Sequence, residues 1–334
     1  MKTFVIAEAG ANHNQNLDQA KKLIDVAAEA GADAVKFQTY SSNTLYSKNT
    51  PNFAGYKDIN QLIKSIELPR EWQNILHDYC NFKGIEFMST PFDEQAVSEL
   101  VDIGVKRLKI AGFESTDPRF VKMVASSGLP LIVSAGIGSN LNSIQDVINW
   151  IYEVNSEPDI TILHCNNAYP TPVDDINLNR IDEIKKTYKN IKVGLSDHTE
   201  GIMAPCLAVA KGAVCIEKHF TLSRNLPGPD HPFAIEPSEL SRMVTNIRIA
   251  EQMCSNDNSL LTKSEKAFEK AMRSVVALKN IKSGEVLTGK NITTKRPMLP
   301  NCIPASDFYN VLGKIVTKDI SEDGLLSYDN LKDS

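Results

Sequence analysis

Eight short, β-rich apolar runs separated by longer stretches of helical spacing restrict the fold of this chain more than any other feature. They are Phe4–Ala7, Ala34–Phe37, Glu86–Ser89, Arg107–Ile110, Leu131–Ser134, Thr161–His164, Lys192–Leu195 and Val214–Phe220. One strand alternating with one helix builds parallel β-α units rather than hairpins. In the first helical stretch Leu17, Ala20, Leu23 or Ile24, and Ala27 recur on one face before Gly31 ends the helix. Comparable patterns lie at 71–82, 93–102, 118–126, 143–154, 178–189, 202–210 and 237–254. Eight strands and eight helices predict an α/β fold, a (β/α)8 TIM barrel, with an open doubly wound sheet as the competing arrangement.

A barrel takes about 250 residues, so a chain of 334 leaves a small remainder. The predicted division is a barrel at 1–254, a linker at 255–274 and a small β-rich domain at 275–334. The linker begins where the composition turns polar, at SNDNSLLTKSEK. The last stretch repeats itself: KNIKSGEVLTGKNI (279–292) aligns with KDISEDGLLSYDNL (318–331) at a constant offset of 39, with the glycine moved by one place. A domain of about 60 residues is marginal by itself, which predicts packing against a barrel. Residues Thr39–Leu68 exceed an ordinary loop and are expected to form a functional excursion over one barrel face.

Charge and cysteine usage remove several classes of function. Lys and Arg total 36 against 41 Asp and Glu, a net charge of −5, so there is no basic surplus to neutralise a nucleic-acid backbone. The apolar run at Phe4 is interrupted by Glu8, too early for a secretory segment or a membrane span. A cytoplasmic location is expected. The six cysteines stand singly without a CxxC pair, as expected of reduced packing residues.

In a (β/α)8 barrel the chemistry sits at the C-terminal strand ends, and all eight ends here are polar. They carry Glu8 with Asn12 and His13; Lys36 and Gln38; Ser89 and Thr90; Lys109; Ser134; His164 followed by Asn167 and Tyr169; Ser196, Asp197 and His198; and Lys218 with His219. Alternation along a strand puts Lys36 and Gln38 on one face and Val35 and Phe37 on the other. His198 and His219 end consecutive strands, where two imidazoles can share a divalent ion or act as hydrogen-bonders and general acids. Lys36, Thr90, Lys109 and Ser134 can hold a phosphate-bearing ligand, or one lysine can form a Schiff base. Glu8 and Asp230 are candidate acid/base or hydroxyl-binding carboxylates. Spacing leaves these alternatives open, and neither a P-loop nor a dinucleotide fingerprint is present.

The motifs IAEAGANHN (6–14), VKFQTY (35–40), STPFD (89–93), KIAGFE (109–114), HCNNAYPTP (164–172), GLSDHT (194–199), EKHF (217–220), PGPDH (227–231) and KRP (295–297) together resemble the sialic acid synthase family. The resemblance spans nearly the whole chain, including a C-terminal domain similar to antifreeze proteins (an SAF domain). Its members condense phosphoenolpyruvate with an N-acylated mannose-type sugar. The resemblance implies a metal, usually Mn²⁺ with Mg²⁺ or Co²⁺ as alternatives, on His198 and His219. It assigns phosphoenolpyruvate binding to Lys36, Gln38, Thr90, Lys109 and Ser134, and sugar binding to Asn167, Tyr169, Asp230 and Arg296. Glu8, His198 and His219 are the implied catalytic residues. Arg296 would reach the barrel of a partner subunit, making a domain-swapped homodimer.

Two sequence details refine this expectation. Many relatives read GSGE where this chain reads AGFE (111–114), so a serine hydroxyl is replaced by Gly112. The segment NLPGPDHPFAIEP (225–237) is most similar to the branch that uses 2,4-diacetamido-2,4,6-trideoxymannose, with N-acetylmannosamine as the alternative sugar.

Overall fold

The computed structural model describes residues 2–52, 57–255 and 261–333. Residues 53–56 of the expected excursion and 256–260 of the expected linker lie outside the described residues. The chain divides into two compact units, the first ending at Ser255.

The first unit is built from eight parallel strands: β1 Phe4–Gly10, β2 Ala34–Thr39, β3 Glu86–Pro91, β4 Leu108–Ile110, β5 Leu131–Ala135, β6 Ile160–Cys165, β7 Lys192–Asp197 and β8 Cys215–His219. They form one sheet in the order β3-β2-β1-β8-β7-β6-β5-β4. Because β1 pairs with β8, the sheet curls on itself as a TIM-like near-barrel. At the remaining seam β3 and β4 lie side by side. A forked Arg107–Glu86 ion pair spans it, at 2.7 and 3.2 Å.

Each strand is followed by a helix whose apolar stripe covers the outer face of the sheet. Helix α1 (Leu17–Glu29) starts where the Asn16 side chain accepts from the Gln19 N–H at 3.0 Å, and buries Ala20, Leu23, Ile24 and Ala27. Gly31 then takes φ +77°, a left-handed turn in which a side chain would be strained. Between β2 and β3 come α2 (Ser42–Leu45), α3 (Ile59–Ile66) and α4 (Trp72–Lys83). The remaining helices are α5 (Glu94–Asp102), α6 (Pro118–Ala125), α7 (Leu141–Tyr152), α8 (Asn179–Thr187), α9 (Met203–Ala210) and α10 (Pro237–Met253).

Inside the barrel, side chains stack in layers, as alternation along a strand requires. The lower layer is apolar: Ile6, Ala34, Met88, Ile132, Leu163 and Cys215 pack as one cluster. Two residues further along each of those strands stand Glu8, Lys36, Thr90, Ser134, Cys165 and Glu217, all buried. An apolar floor thus carries a polar tier, and the site is built on that tier.

The second unit has its own core, which includes Val275, Ala277, Ile281, Leu287, Val316, Ile320 and Leu326. Strands β9 (Ser274–Ala277) and β10 (Ile292–Lys295) pair antiparallel, as do β11 (Ile315–Val316) and β12 (Leu331–Lys332). The 39-residue echo is a structural repeat. Ile281 and Ile320 exchange both backbone hydrogen bonds, at 2.8 and 2.9 Å. The bridges Val276 to Leu325 and Val286 to Ile315 are one contact made twice under the same shift. The displaced glycine has a backbone reason: Gly284 (φ +90°) corresponds to Asp323 (φ +60°), a left-handed position that aspartate tolerates. Residues 261–274, expected within a linker, count with this unit and include a 3-10 helix at Lys266–Ala271.

Candidate active site

Eleven of the twelve residues singled out as binding or catalytic line one cavity of about 310 Å³ at the C-terminal end of the barrel. They are Glu8, Lys36, Gln38, Thr90, Lys109, Ser134, Asn167, Tyr169, His198, His219 and Asp230. The twelfth, Arg296, belongs to the second unit, where it follows β10 and is exposed.

At the centre is a buried charge cluster. Lys36 Nζ lies 2.8 Å from Glu8 Oε2 and 3.6 Å from Glu217 Oε2, and donates to Thr90 Oγ1 at 2.8 Å. Lys109 donates to Ser134 Oγ at 2.7 Å and stands 3.8 Å from Glu217 Oε1. Ser196 Oγ donates to that same carboxylate at 3.0 Å, and Gln38 Nε2 donates to Glu8 Oε1 at 2.8 Å. Burial pushes the Glu8 carboxyl up to about 7; Lys36 pulls it down and Glu217 pushes it further up. Burial works against the charge on Lys36 too, but Glu217 and Glu8 outweigh it and hold the ammonium above its ordinary value. For Lys109 burial wins, and its value falls despite Glu217. Burial raises Glu217, yet Lys109 and Lys36 more than offset it, so this carboxylate titrates below the ordinary range. Glu217 stands outside the expected residues, and Ser196 was expected only as a polar strand end. Alternation from His219 on β8 and from His198 just past the end of β7, each two residues further along the chain, is the sequence signal that places them.

His198 and His219 face the same space, with ring centroids 5.4 Å apart. His198 Nδ1 donates to the Asn166 carbonyl at 2.6 Å, which leaves Nε2 as its lone-pair nitrogen. His219 Nδ1 is buried without a hydrogen-bond partner among the described residues, 3.9 Å from Asp230 Oδ2. Burial lowers both imidazoles, His219 the more strongly, and keeps them neutral. Among the described residues no cluster of three His, Cys, Asp or Glu closes a metal site. Two neutral imidazoles on a polar cavity suit a divalent ion that takes its other ligands from water and substrate oxygen. The Tyr169 ring sits 4.2 Å from His198 by centroids and also packs on Phe233.

Other polar strand ends do structural work. Asn12 Nδ2 donates to the Phe220 carbonyl and His13 packs against Phe37 and Trp72. Ser89 pairs with Thr39, and His164 Nε2 bonds the Ile176 carbonyl at 2.6 Å. Lys218 forms a fully buried ion pair with Asp197 at 2.7 Å, on the strand face opposite Glu217 and His219.

Gly112 has a steric reason to lack a side chain. A Cβ there would stand 3.0 Å from the Gly136 Cα and 3.1 Å from Asn167 Oδ1, and that oxygen already accepts the Ile137 N–H at 2.7 Å. Close packing of the two loops against Asn167 leaves room for a side chain at this position only if these neighbours shift slightly.

The excursion supplies the cavity's apolar side. Helix α3 begins with Asp58, whose side chain accepts from the Gln61 N–H at 3.0 Å. Ile59, Leu62, Ile63 and Ile66 fall on one face at helical spacing and all line the cavity. Tyr40 Oη donates to the Ile66 carbonyl and Gln15 Nε2 to the Lys64 and Glu67 carbonyls, which ties the excursion to the barrel. Glu114, also unexpected, lines the cavity as well; its Oε2 is buried with no hydrogen-bond partner among the described residues.

Both units of the chain resemble known proteins. A profile described as the NeuB family matches residues 23–259, and one described as the SAF domain matches 272–332. An N,N'-diacetyllegionaminic acid synthase of Campylobacter jejuni is 39% identical, covering 97% of this chain and 99% of that protein. A pseudaminic acid synthase of the same species is 36% identical, over 96% of this chain and 94% of that protein. Among solved structures, an N-acetylneuraminic acid synthetase of Leptospira borgpetersenii aligns with TM-score 0.74 and 34% identity, over 80% of this chain and 90% of that one. No helix among the described residues is long and apolar enough to cross a membrane.

Proposed function

This chain belongs to the NeuB family, and from that premise we propose that it condenses phosphoenolpyruvate with 2,4-diacetamido-2,4,6-trideoxymannose to give N,N'-diacetyllegionaminate and phosphate. The observation that carries the reading is the polar tier itself. Two buried ammonium groups, Lys36 and Lys109, and two hydroxyls, Thr90 and Ser134, line the same cavity as two neutral imidazoles.

Phosphoenolpyruvate carries a phosphate and a carboxylate, and the lysines with Thr90, Ser134 and Gln38 offer the donors to hold both. C3 of the enol attacks the aldehyde carbon of the open-chain sugar, and positive charge develops at C2. Water adds at C2, a proton leaves it, and the tetrahedral carbon expels phosphate by C–O cleavage, leaving a 2-keto acid that cyclises. Glu8, poised near neutrality, is placed to take the proton that water loses and pass it to the oxygen of the former aldehyde, while the hydroxyl at C2 gives up its proton with the departing phosphate. Asn167, Tyr169 and Asp230 orient the sugar, and holding two small reactants in line supplies much of the rate. His198 and His219 would hold the divalent ion, Mn²⁺ first, with Mg²⁺ or Co²⁺ as alternatives; when bound it supplies Lewis-acid polarisation of the sugar carbonyl. Arg296 of a partner subunit would bind the N-acyl group, in a domain-swapped homodimer.

The choice of sugar rests on the PGPD segment (227–230) and on the apolar wall of α3. Purified protein supplied with Mn²⁺, phosphoenolpyruvate and each sugar should release phosphate fastest with the diacetamido sugar. Faster turnover of N-acetylmannosamine would overturn that assignment. Borohydride trapping of Lys36 or Lys109 with pyruvate, together with indifference to chelators, would replace the mechanism by a Schiff-base one.

A further inference from the structure

We infer that the apolar face of α3 reads the far end of the sugar, selecting a methyl group over a hydroxymethyl group at C6. The inference rests on the proposed synthase activity and adds a specificity role for residues outside the barrel strands.

Three observations carry it. Ile59, Leu62, Ile63 and Ile66 border the cavity that contains Lys36 and the two imidazoles, so whatever reacts there lies beside them. Their four side chains carry no polar atom, and they pack with Leu45, Tyr40 and Phe92 in one apolar cluster on that side of the cavity. The helix is held by the Tyr40 and Gln15 hydrogen bonds to its C-terminal turn, and by Glu67, which accepts the Ser42 N–H at 2.9 Å. A fixed wall cannot turn aside to admit a hydrated group.

Placing a hydroxymethyl group against such a wall strips its hydroxyl of water on that side and the wall offers no hydrogen bond in exchange, a cost a methyl group does not incur. The preference is asymmetric for that reason: the wall favours the deoxy sugar by refusing the hydroxylated one. Glu114 complements it. Its unpartnered Oε2 gives the cavity an acceptor for an amide N–H, so an acetamido group can direct its N–H to the carboxylate and its methyl to the apolar side.

The test compares the holoenzyme and its Leu62→Gln variant with three sugars under Mn²⁺: the diacetamido sugar, N-acetylmannosamine, and 6-deoxy-N-acetylmannosamine, which isolates the methyl. Leu62 is half-buried in α3, outside the barrel strands, whereas its neighbours Ile59 and Ile63 are buried, so the substitution should leave the barrel folded, as unchanged circular dichroism would verify. The unmodified protein should prefer the 6-deoxy analogue over N-acetylmannosamine in kcat/KM by about tenfold or more, the size of a one-group pocket discrimination. Leu62→Gln should erase most of that ratio while the phosphoenolpyruvate KM stays put. An enzyme that favours the 6-deoxy analogue yet rejects the diacetamido sugar would retain the wall and discard the proposed substrate. Equal rates with the 6-deoxy and hydroxylated sugars, or a ratio unmoved in Leu62→Gln, would overturn the wall.

Discussion

Glu8 and Lys36 are register partners on adjacent strands, and their side chains meet at 2.8 Å with at most 3% of either exposed. An ion pair so buried is costly unless every charge in it is compensated. Here Thr90, Gln38 and Glu217 complete the compensation, leaving Glu8 sensitive to proton uptake near neutrality.

Glu8 has a folded-state value of about 7, above its ordinary 4.5. Between those two values the native state binds the extra proton, so this group's contribution to stability falls as pH rises through that window. Activity should run the other way if the carboxylate is the working form. We expect kcat/KM to climb through about pH 7, and Glu8→Gln to abolish that limb while cutting kcat by about 100-fold or more. Phosphate release across a pH series measures both; an unaltered limb in the variant would assign it elsewhere.

Lys36→Met leaves Glu8 and Glu217 facing each other without their shared cation. At pH 8 the expected loss of stability is about 3 kcal/mol. It should shrink at pH 5.5, where Glu8 can take up a proton instead. Urea unfolding midpoints at the two pH values decide the matter, and equal losses would contradict the coupling between the two carboxylates.

Asp197 and Lys218 form the second fully buried pair, turned away from the cavity. Lys218→Met should therefore destabilise by roughly 3–5 kcal/mol with both substrate KM values unchanged. A raised KM for either substrate at constant stability would move this lysine into the site.

Arg296→Ala should raise the sugar KM far more than that of phosphoenolpyruvate. At a sugar concentration too low for this variant to turn over, mixing it with an inactive His198→Ala variant and allowing subunits to exchange should restore activity, because one barrel in each mixed dimer would have a complete set of groups. Persistent inactivity of the mixture, with exchange verified, would argue against a swapped arrangement.

Much of this is legible in the sequence. The eight apolar runs became eight strands within a few residues, and alternation correctly turned Lys36 and Gln38 inward together. The same rule, applied to Thr90 against Ser89 and to Glu217 against Lys218, would have sorted those pairs too. It needs one fixed inward residue per strand, which the sequence does not label. Helix α3 shows a different limit: its apolar face at Ile59, Leu62, Ile63 and Ile66 reads as core packing until the excursion is seen to fold over the mouth.

The sequence by itself determined the alternation of strands and helices, the polar strand ends and the 39-residue repeat, because local spacing and backbone preference write these directly. Only the tertiary structure decided which polar ends share a cavity. Closing β1 onto β8 brings Glu8 beside His219 in register and sets Lys36 against Glu217, residues remote in the chain. Burial among those neighbours then assigns each group its charge, and no residue in isolation carries that information.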